Sequence, residues 1–339
     1  MRYCGCGFYG CFDMLYFCVN NGGIVLIFTK TSFFVIFFFI YLQNEVVCEY
    51  MFFLRCVCTN SNKRELCSFA KSLLWAINRM NDKIITLANN LPPISLEEMS
   101  GIKLMNRTDT KYVATISQLL AFLQAVEGKY YIQEINGVRL ASYHTTYFDT
   151  ENNEMYVMHH NGKLVREKIR VRTYVDTDIT FLEVKNKNNH KRTKKKRIVV
   201  QAVDSLLREQ ESVVPFLAKC AWYTLDEIRP VIENRFNRIT LVNFDKTERL
   251  TIDFNLWFHN LLTDNVHRLE HVAIVELKRD GNVPSPSLDI FRELRIQRSG
   301  FSKYCMGCAF TNKGLKRNNF KERLNLIKKL ENKQKNNFI

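Results

Sequence analysis

From residue 80 onward the sequence lacks the glycine loops on which the common nucleotide folds are built. Residues 80–339 contain no G-x-x-x-x-G-K-[ST] and no G-x-G-x-x-G, which sets aside the phosphate-cradling loop and the dinucleotide fingerprint for this stretch. Cysteine is scarce after residue 67: eight of the eleven precede that point, and only Cys220, Cys305 and Cys308 follow. A secreted disulfide framework is thereby excluded, and the later part reads as a reduced, cytoplasmic protein. Cys305-x-x-Cys308 has no second pair at zinc spacing, which argues against a metal there. No internal repeat is present. The aromatic residues are not interleaved with the cations as on a stacking platform, so nucleic acid is a poor partner.

What is present is positive charge, unevenly spread. The 339 residues carry a formal net charge of +15; residues 1–79 hold 7 Lys+Arg and 4 Asp+Glu, and the rest holds 42 and 30. Such an excess points to an anionic partner such as phosphate, nucleic acid or a membrane surface, or to a solvated basic surface. Residues 23–42 are mostly apolar, interrupted by Lys30, and are long enough to span a bilayer. Arg55, Lys63, Arg64, Lys71 and Arg79 follow them and Arg2 precedes them. The positive-inside rule then leaves the C-terminal part in the cytoplasm, with a membrane protein as one partner. The segment fits a signal peptide poorly. A further reading starts translation near Met80 and makes residues 1–79 a start-site artefact, which the abrupt change in Cys and Phe usage favours. The chain divides into 1–79, a domain over 80–312, and a Lys/Asn-rich tail over 313–339 that reads as a frayed helix or disordered.

From about Ser95 the chain alternates strand patterns with turn signals. Strands are expected in NRTDTKYVAT and ASYHTTYFDT, and a helix in TISQLLAFLQAV. EMYVMHHNGKLVREKIRVRTY reads as a hairpin turning at Asn161-Gly162, with His159-His160 exposed before the turn. ITFLEVKNK and KKKRIVV form another hairpin. VVPFLAKCAWYTLDEI reads as a helix, NRFNRITLVNF and RLTIDFNLWF as a third hairpin, HVAIVELKRD as a strand and SLDIFRELRIQR as a helix.

Several strands are apolar on one face and charged on the other: Arg107, Asp109 and Lys111; Lys168, Arg170 and Arg172; Glu183 and Lys185; Arg249, Thr251 and Asp253; Glu276 and Lys278. An ordinary half-buried sheet leaves such a face wet. Too many strands carry it for that, and an antiparallel barrel turns the polar faces inward instead. An exposed ion pair is worth about 0–1 kcal/mol, while two unit charges at about 4 Å and an effective dielectric of about 20 interact by roughly 4 kcal/mol. Cations crowded into one lumen repel when it is empty and are stabilised by a chain of phosphates. Plain salt bridges remain as readings for Arg107 with Asp109, for Glu183 with a lysine, and for Glu276 with Lys278.

The ordered set NRTDTKYV, YFDT, KIRVRTY, FLEVKNK, KKKRI, RPVIENRFNRITL, RLTIDF, VELK and SGFSKY resembles the VTC domain. This is the polyphosphate polymerase domain of the vacuolar transporter chaperone family, within the triphosphate tunnel metalloenzyme group, and the likeness covers about residues 95–310. It implies an α+β fold, an antiparallel β-barrel tunnel with flanking helices. It also implies transfer of the γ-phosphate of ATP onto inorganic polyphosphate with a divalent metal, Mn²⁺ or Mg²⁺. Carried over by position, Lys111, Arg170, Arg172 and Lys303 act on the transferring phosphate. Lys185, Lys195 or Lys196, Arg238, Arg249 and Ser302 bind phosphate, and Glu276 holds the metal. Phe236 stands where the family often has tyrosine, and Gly300 where it has lysine, with Arg298 as a substitute. The related hydrolases carry E-x-E-x-K where this chain has Arg107-x-Asp109-x-Lys111, which favours a polymerase over a triphosphatase. A non-catalytic polyphosphate-binding module is the remaining class.

Overall fold

The structure, a computed structural model, describes residues 12–19, 22–29, 34–42, 45–54, 80–100, 107–190, 192–201, 204–281 and 283–336. The chain forms two units, Met1–Met80 and Asn81–Ile339. In the first, β1 (Phe12–Val19), β2 (Gly22–Thr29), β3 (Phe34–Leu42) and β4 (Glu45–Leu54) pair as consecutive antiparallel strands. The apolar run over 23–42, expected as one span, is thus divided between β2 and β3. Its Ile, Val, Phe and Tyr content favours extended backbone over helix. Among the described residues no helix is long and apolar enough to cross a membrane.

The second unit opens with helix α1 (residues 80–89), the short strand β5 (Pro93–Ile94) and helix α2 (Leu96–Ser100). Strand β6 (Arg107–Thr115) runs into α3 (Ile116–Ala125) through a capping box. The Thr115 hydroxyl accepts from the Gln118 amide at 3.2 Å, and the Gln118 side chain accepts from the Thr115 amide at 2.8 Å. These bonds satisfy two amides that the helix start leaves open. Then come β7 (Tyr130–Gln133), β8 (Ala141–Thr150), α4 (Glu154–His160), β9 (Arg166–Tyr174), β10 (Ile179–Lys187), β11 (Thr193–Val199) and α5 (Val213–Cys220). The long hairpin β12 (Ile228–Asn243) and β13 (Glu248–Asn260) follows, then β14 (Val266–Leu269), β15 (Val272–Asp280), α6 (Pro286–Glu293), β16 (Gln297–Arg298), α7 (Lys303–Thr311) and α8 (Lys321–Asn336).

Twelve strands make one sheet, whose main path runs β11-β10-β9-β8-β12-β13-β15-β6-β16. The fold is α+β, a mostly antiparallel tunnel-type sheet with helices around it. The expected closed cylinder is corrected in one respect: among the described residues β11 forms no ladder with β6 or β16, so the sheet does not close by hydrogen bonding. The chain after β16 lies along the β6 edge instead. The Ser299 amide donates to the Lys111 carbonyl at 2.9 Å, and Lys111 Nζ donates to the Phe301 carbonyl at 2.8 Å.

Each site strand buries one face. On β9, Glu167, Ile169 and Val171 are buried between the cations. On β10, Leu182 and Val184 do the same. Helix α7 rests on β12 and β13, where a Cβ at Gly307 would stand 2.7 Å from Ile232 Cδ1 and 2.6 Å from Phe258 Cδ1. Only glycine permits this approach.

Two further expectations are corrected. Glu154–His160 is a helix, not a hairpin arm. The buried Asp149 carboxylate accepts from the amides of Met155 and Tyr156, at 2.9 Å each, and so holds the first turn. Asn161-Gly162 ends that helix: the Lys163 amide returns to the Met158 carbonyl at 3.0 Å, with Gly162 at φ 73°. This is a Schellman-type cap, which uses the same left-handed glycine as a hairpin turn. The tail is also docked rather than frayed. On α8, Ile327 is fully buried, Glu331 accepts from the His271 amide at 3.0 Å, and Gln334 donates to the Ser117 hydroxyl at 2.6 Å.

Candidate functional site

The alternation along β9 sets out the site. Arg166, Lys168, Arg170 and Arg172 face one way, opposite Lys187, Lys185, Glu183 and Phe181 of β10. From Arg166 to Arg172 the strand advances about 20 Å at about 3.3 Å per residue. Across the sheet, Arg238 pairs with Asp253 between β12 and β13, and Glu276 with Lys111 between β15 and β6. These faces enclose a cavity of about 680 Å³. Among the described residues, eleven lysines and arginines line it against three carboxylates, Asp109, Asp253 and Glu276.

Buried carboxylates fix some of the cations. Glu183, only 1% exposed, takes Arg170 through Nε at 2.7 Å and Nη2 at 2.6 Å, and also pairs with Lys195. Asp253 takes Arg238 in a two-pronged pair, Nε at 2.6 Å and Nη2 at 2.9 Å, and also binds Lys303. Arg172 donates to the Thr145 hydroxyl at 3.2 Å. Its guanidinium lies 5.4 Å from the Tyr143 ring centroid and 5.8 Å from that of Phe236. Tyr143 and Phe236 stack on each other, and Lys303 Nζ sits 4.1 Å from the Phe236 centroid. With Arg238, whose guanidinium lies 4.9 Å from the Tyr143 centroid and 5.3 Å from that of Phe236, the pair of rings holds three cations by their faces. Toward the other end, Lys168 donates to the Ser302 hydroxyl at 2.8 Å and Arg166 to the Lys163 carbonyl at 3.1 Å.

Crowding shows in the ionisation. Removal from bulk water, then Lys111 and Arg170, pushes Lys185 down to about 7. Burial lowers Lys303 to about 7 against the pull of Asp253, and lowers Lys168 to about 8 with help from Lys111. Burial works to raise Glu276, but Lys111 and Lys278 outweigh it and hold that carboxyl well below its ordinary range. His159 is kept neutral, by burial first and then by Lys168, Arg166, Arg323 and Lys111.

Of the residues expected from sequence, Lys111, Arg170, Arg172, Lys185, Arg238, Glu276, Ser302 and Lys303 all line the cavity. Lys195 lies opposite Lys185 and reaches Glu183, whereas Lys196 lies opposite Val184, on the other face, and is exposed. Arg249 alternates with Thr251 and Asp253 on β13 but stands outside the lining. The side chain of Arg107 lies outside the described residues. Lys168 and Arg166 were legible in the β9 alternation, and Asp253 in the β12–β13 hairpin register. His159 and Arg323 come from a helix end and α8, where strand periodicity gives no signal, while Arg298, the expected substitute near Gly300, lies on β16 and lines the cavity.

Among the described residues no group of three or more His, Cys, Asp or Glu side chains converges on a metal. Mg²⁺ commonly takes one or two carboxylates and completes its shell with substrate phosphates and water. Glu276 and Asp109 both line the cavity as diagonal neighbours of the β15–β6 ladder, since Lys278 faces Asp109 where Glu276 faces Lys111. Glu276 Oε2 pairs with Lys278 Nζ at 2.7 Å, so these two carboxylates could hold such an ion only in exchange for that lysine.

Over residues 106–312, more than half of the chain, the sequence matches the VTC domain. The chain belongs to the VTC domain family. No curated protein matches it. Similar solved structures include a candidate adenylyl cyclase from Hippeastrum reported to have a dominant triphosphatase activity. It is 13% identical with a TM-score of 0.41, and the match covers 62% of this chain and 98% of that one. A candidate adenylate cyclase from Bacillus halodurans is 10% identical with a TM-score of 0.37, covering 58% and 96%. Another from Vibrio parahaemolyticus is 13% identical with a TM-score of 0.35, covering 60% and 99%. In this VTC-family chain every residue lining the cavity except Phe320 and Arg323 lies within the matched segment.

Proposed function

We propose that the chain is a polyphosphate polymerase that moves the γ-phosphate of ATP onto a growing inorganic polyphosphate chain inside the cationic cavity. One observation carries the reading: eleven Lys and Arg face three carboxylates around about 680 Å³. Burial first, and neighbouring cations after it, lower the pKa of Lys168, Lys185 and Lys303, and a polyanion offsets that effect by favouring their charged forms. In the proposed reaction an oxygen of the acceptor's terminal phosphate bonds to the γ-phosphorus. The bond from that phosphorus to the β–γ bridging oxygen breaks, and ADP leaves. Arg170, Arg172 and Arg238 hold the equatorial oxygens by their forks, Lys111 and Lys303 add point charge, and no side chain forms a covalent bond. Catalysis of this kind is positional and electrostatic. Glu276 with Asp109 would hold a Mg²⁺ or Mn²⁺ ion, whose chemistry is neutralisation of the β- and γ-oxygens. A cytoplasmic setting goes with this reading, since Cys220, Cys305 and Cys308 are free thiols.

A second reading is a triphosphatase of the same fold, in which the same cations hold a triphosphate and water takes the place of the acceptor chain. Incubation of the full chain with ATP and Mn²⁺ or Mg²⁺ separates the two. Long acid-labile chains with ADP support the polymerase. Orthophosphate from tripolyphosphate, without chains, supports the triphosphatase. Tight polyphosphate binding with neither product leaves a binding module and overturns both enzymatic readings.

A further inference from the structure

The family match ends at residue 312, yet two cavity-lining residues, Phe320 and Arg323, come from beyond it. Phe320 is held firmly in place, and Arg323 beside it is exposed. Phe320 is 2% exposed and sets its ring edge-on to His160 at 5.2 Å, Tyr156 at 5.9 Å and His159 at 6.1 Å between centroids. Beside it, Asn319 Nδ2 donates to the His160 carbonyl at 2.9 Å. Helix α8 is then seated by Leu324 and Ile327. Arg323, on the first turn, has its guanidinium carbon 5.7 Å from the Phe320 ring centroid. Across the cavity wall stands Gly300, where a Cβ would lie 3.5 Å from Arg323 Nε and 3.7 Å from Nη2. The guanidinium therefore lies beside Gly300, with Nε and Nη2 among its nearest atoms, and the residue lines the cavity. Among the described residues no carboxylate pairs with it. Its charge adds to those of Lys168, Arg166 and Lys111 around His159.

We infer that Arg323 is a phosphate-binding residue which, with Arg166 and Lys168, forms a subsite for one phosphate group of the substrate chain at the Arg166 end of the cavity. The segment after the family match is then part of the binding machinery. A planar fork beside a glycine takes two phosphate oxygens at once, which a lysine's single ammonium does not. This inference rests on the polyanion reading of the cavity and adds a residue to it.

Titration calorimetry of tripolyphosphate into the full chain tests it. The Arg323→Ala protein is expected to bind about tenfold more weakly, the loss of one charge-assisted contact. Arg323→Lys should fall between that and the parent. Lys329→Ala, which removes the same charge from an exposed position of α8, should bind as the parent does. An unchanged thermal unfolding midpoint without ligand shows that Arg323→Ala remains folded, and Arg323→Lys supplies the comparison if it does not. Parent-like affinity in Arg323→Ala, alongside lost affinity in Arg170→Ala, overturns the inference and leaves the polyanion reading standing. An equal loss in Lys329→Ala assigns the effect to overall charge and likewise overturns it. A parent protein that does not bind tripolyphosphate at all overturns the polyanion reading, and the inference with it.

Discussion

Arg172 and Arg166 stand on one face of one strand, six residues apart, in opposite electrostatic settings. Around Arg172, the neighbouring guanidiniums of Arg170 and Arg238 are locked by buried Glu183 and Asp253, and Arg172 itself lies over the Tyr143 and Phe236 rings. Around Arg166 and Lys168 the partners are neutral, a carbonyl and a hydroxyl, and the nearby imidazole of His159 is kept uncharged. The first end is preorganised: its cations are oriented before any ligand arrives. The second leaves its charge uncompensated until an anion enters. Stability should therefore depend on the carboxylates of the first end, and the response to ligand on the lysines and arginines of the second.

The largest effect is expected from Asp253→Asn. It leaves the two buried cations Arg238 and Lys303 without their shared counter-ion, which should cost about 3–5 kcal/mol of stability, read by urea denaturation of the full chain. A loss below about 1 kcal/mol, the scale of a surface pair, would remove the distinction between the ends. Next comes Arg172→Ala. Its partner is the Thr145 hydroxyl, so no carboxylate is stranded. Chain synthesis should fall about 100-fold or more, the scale of a lost transition-state donor, with little change in unfolding midpoint.

A smaller change is expected from Lys168→Met, which relieves crowding at the second end. Tripolyphosphate affinity should drop about tenfold while the unliganded protein keeps or gains stability; a clear destabilisation would show that Lys168 is a structural cation after all. Least of all, Lys196→Ala should leave polyphosphate binding unchanged, because β11 turns it to the outer face opposite Val184. A measurable loss would mean that the outer face takes part.

The strands were legible because their chemistry alternates. The two-residue period of β9, β10, β13 and β15 told which side chains share a face, and so which cations meet. Where identical residues run together the period is silent: Lys194, Lys195 and Lys196 became distinguishable only through the register with Lys185 and Glu183. Asn161-Gly162 misled because one left-handed glycine serves both a hairpin turn and a helix cap, and the choice was made by Asp149 capping α4 from a preceding strand. The apolar run over 23–42 fits either a span or paired strands by hydropathy alone. Arg323 was hidden for a related reason. Its place depends on Phe320, Leu324 and Ile327 finding tertiary partners, whereas the Lys/Asn-rich composition around them reads as solvated.

The central claim is that the cavity's lysines are held partly discharged by burial and by one another, and that a polyanion reverses this. Burial first, and neighbouring cations after it, push Lys168 down to about 8 and Lys303 to about 7, well below an unfolded value of about 10.4. Between these limits the unfolded chain holds more protons, so the ligand-free protein gains stability as pH rises through that window. A bound polyanion favours the charged lysines and raises their pKa. Binding must then take up protons and weaken as pH rises past 7 to 8. Calorimetric titration of tripolyphosphate into the metal-free full chain at about pH 8, in two buffers of different ionisation heat, measures that exchange directly. Proton uptake that falls in Lys168→Met, where the ligand's own proton release is the same, is the predicted result; equal proton exchange in the two proteins, or no binding by the parent, would contradict the account.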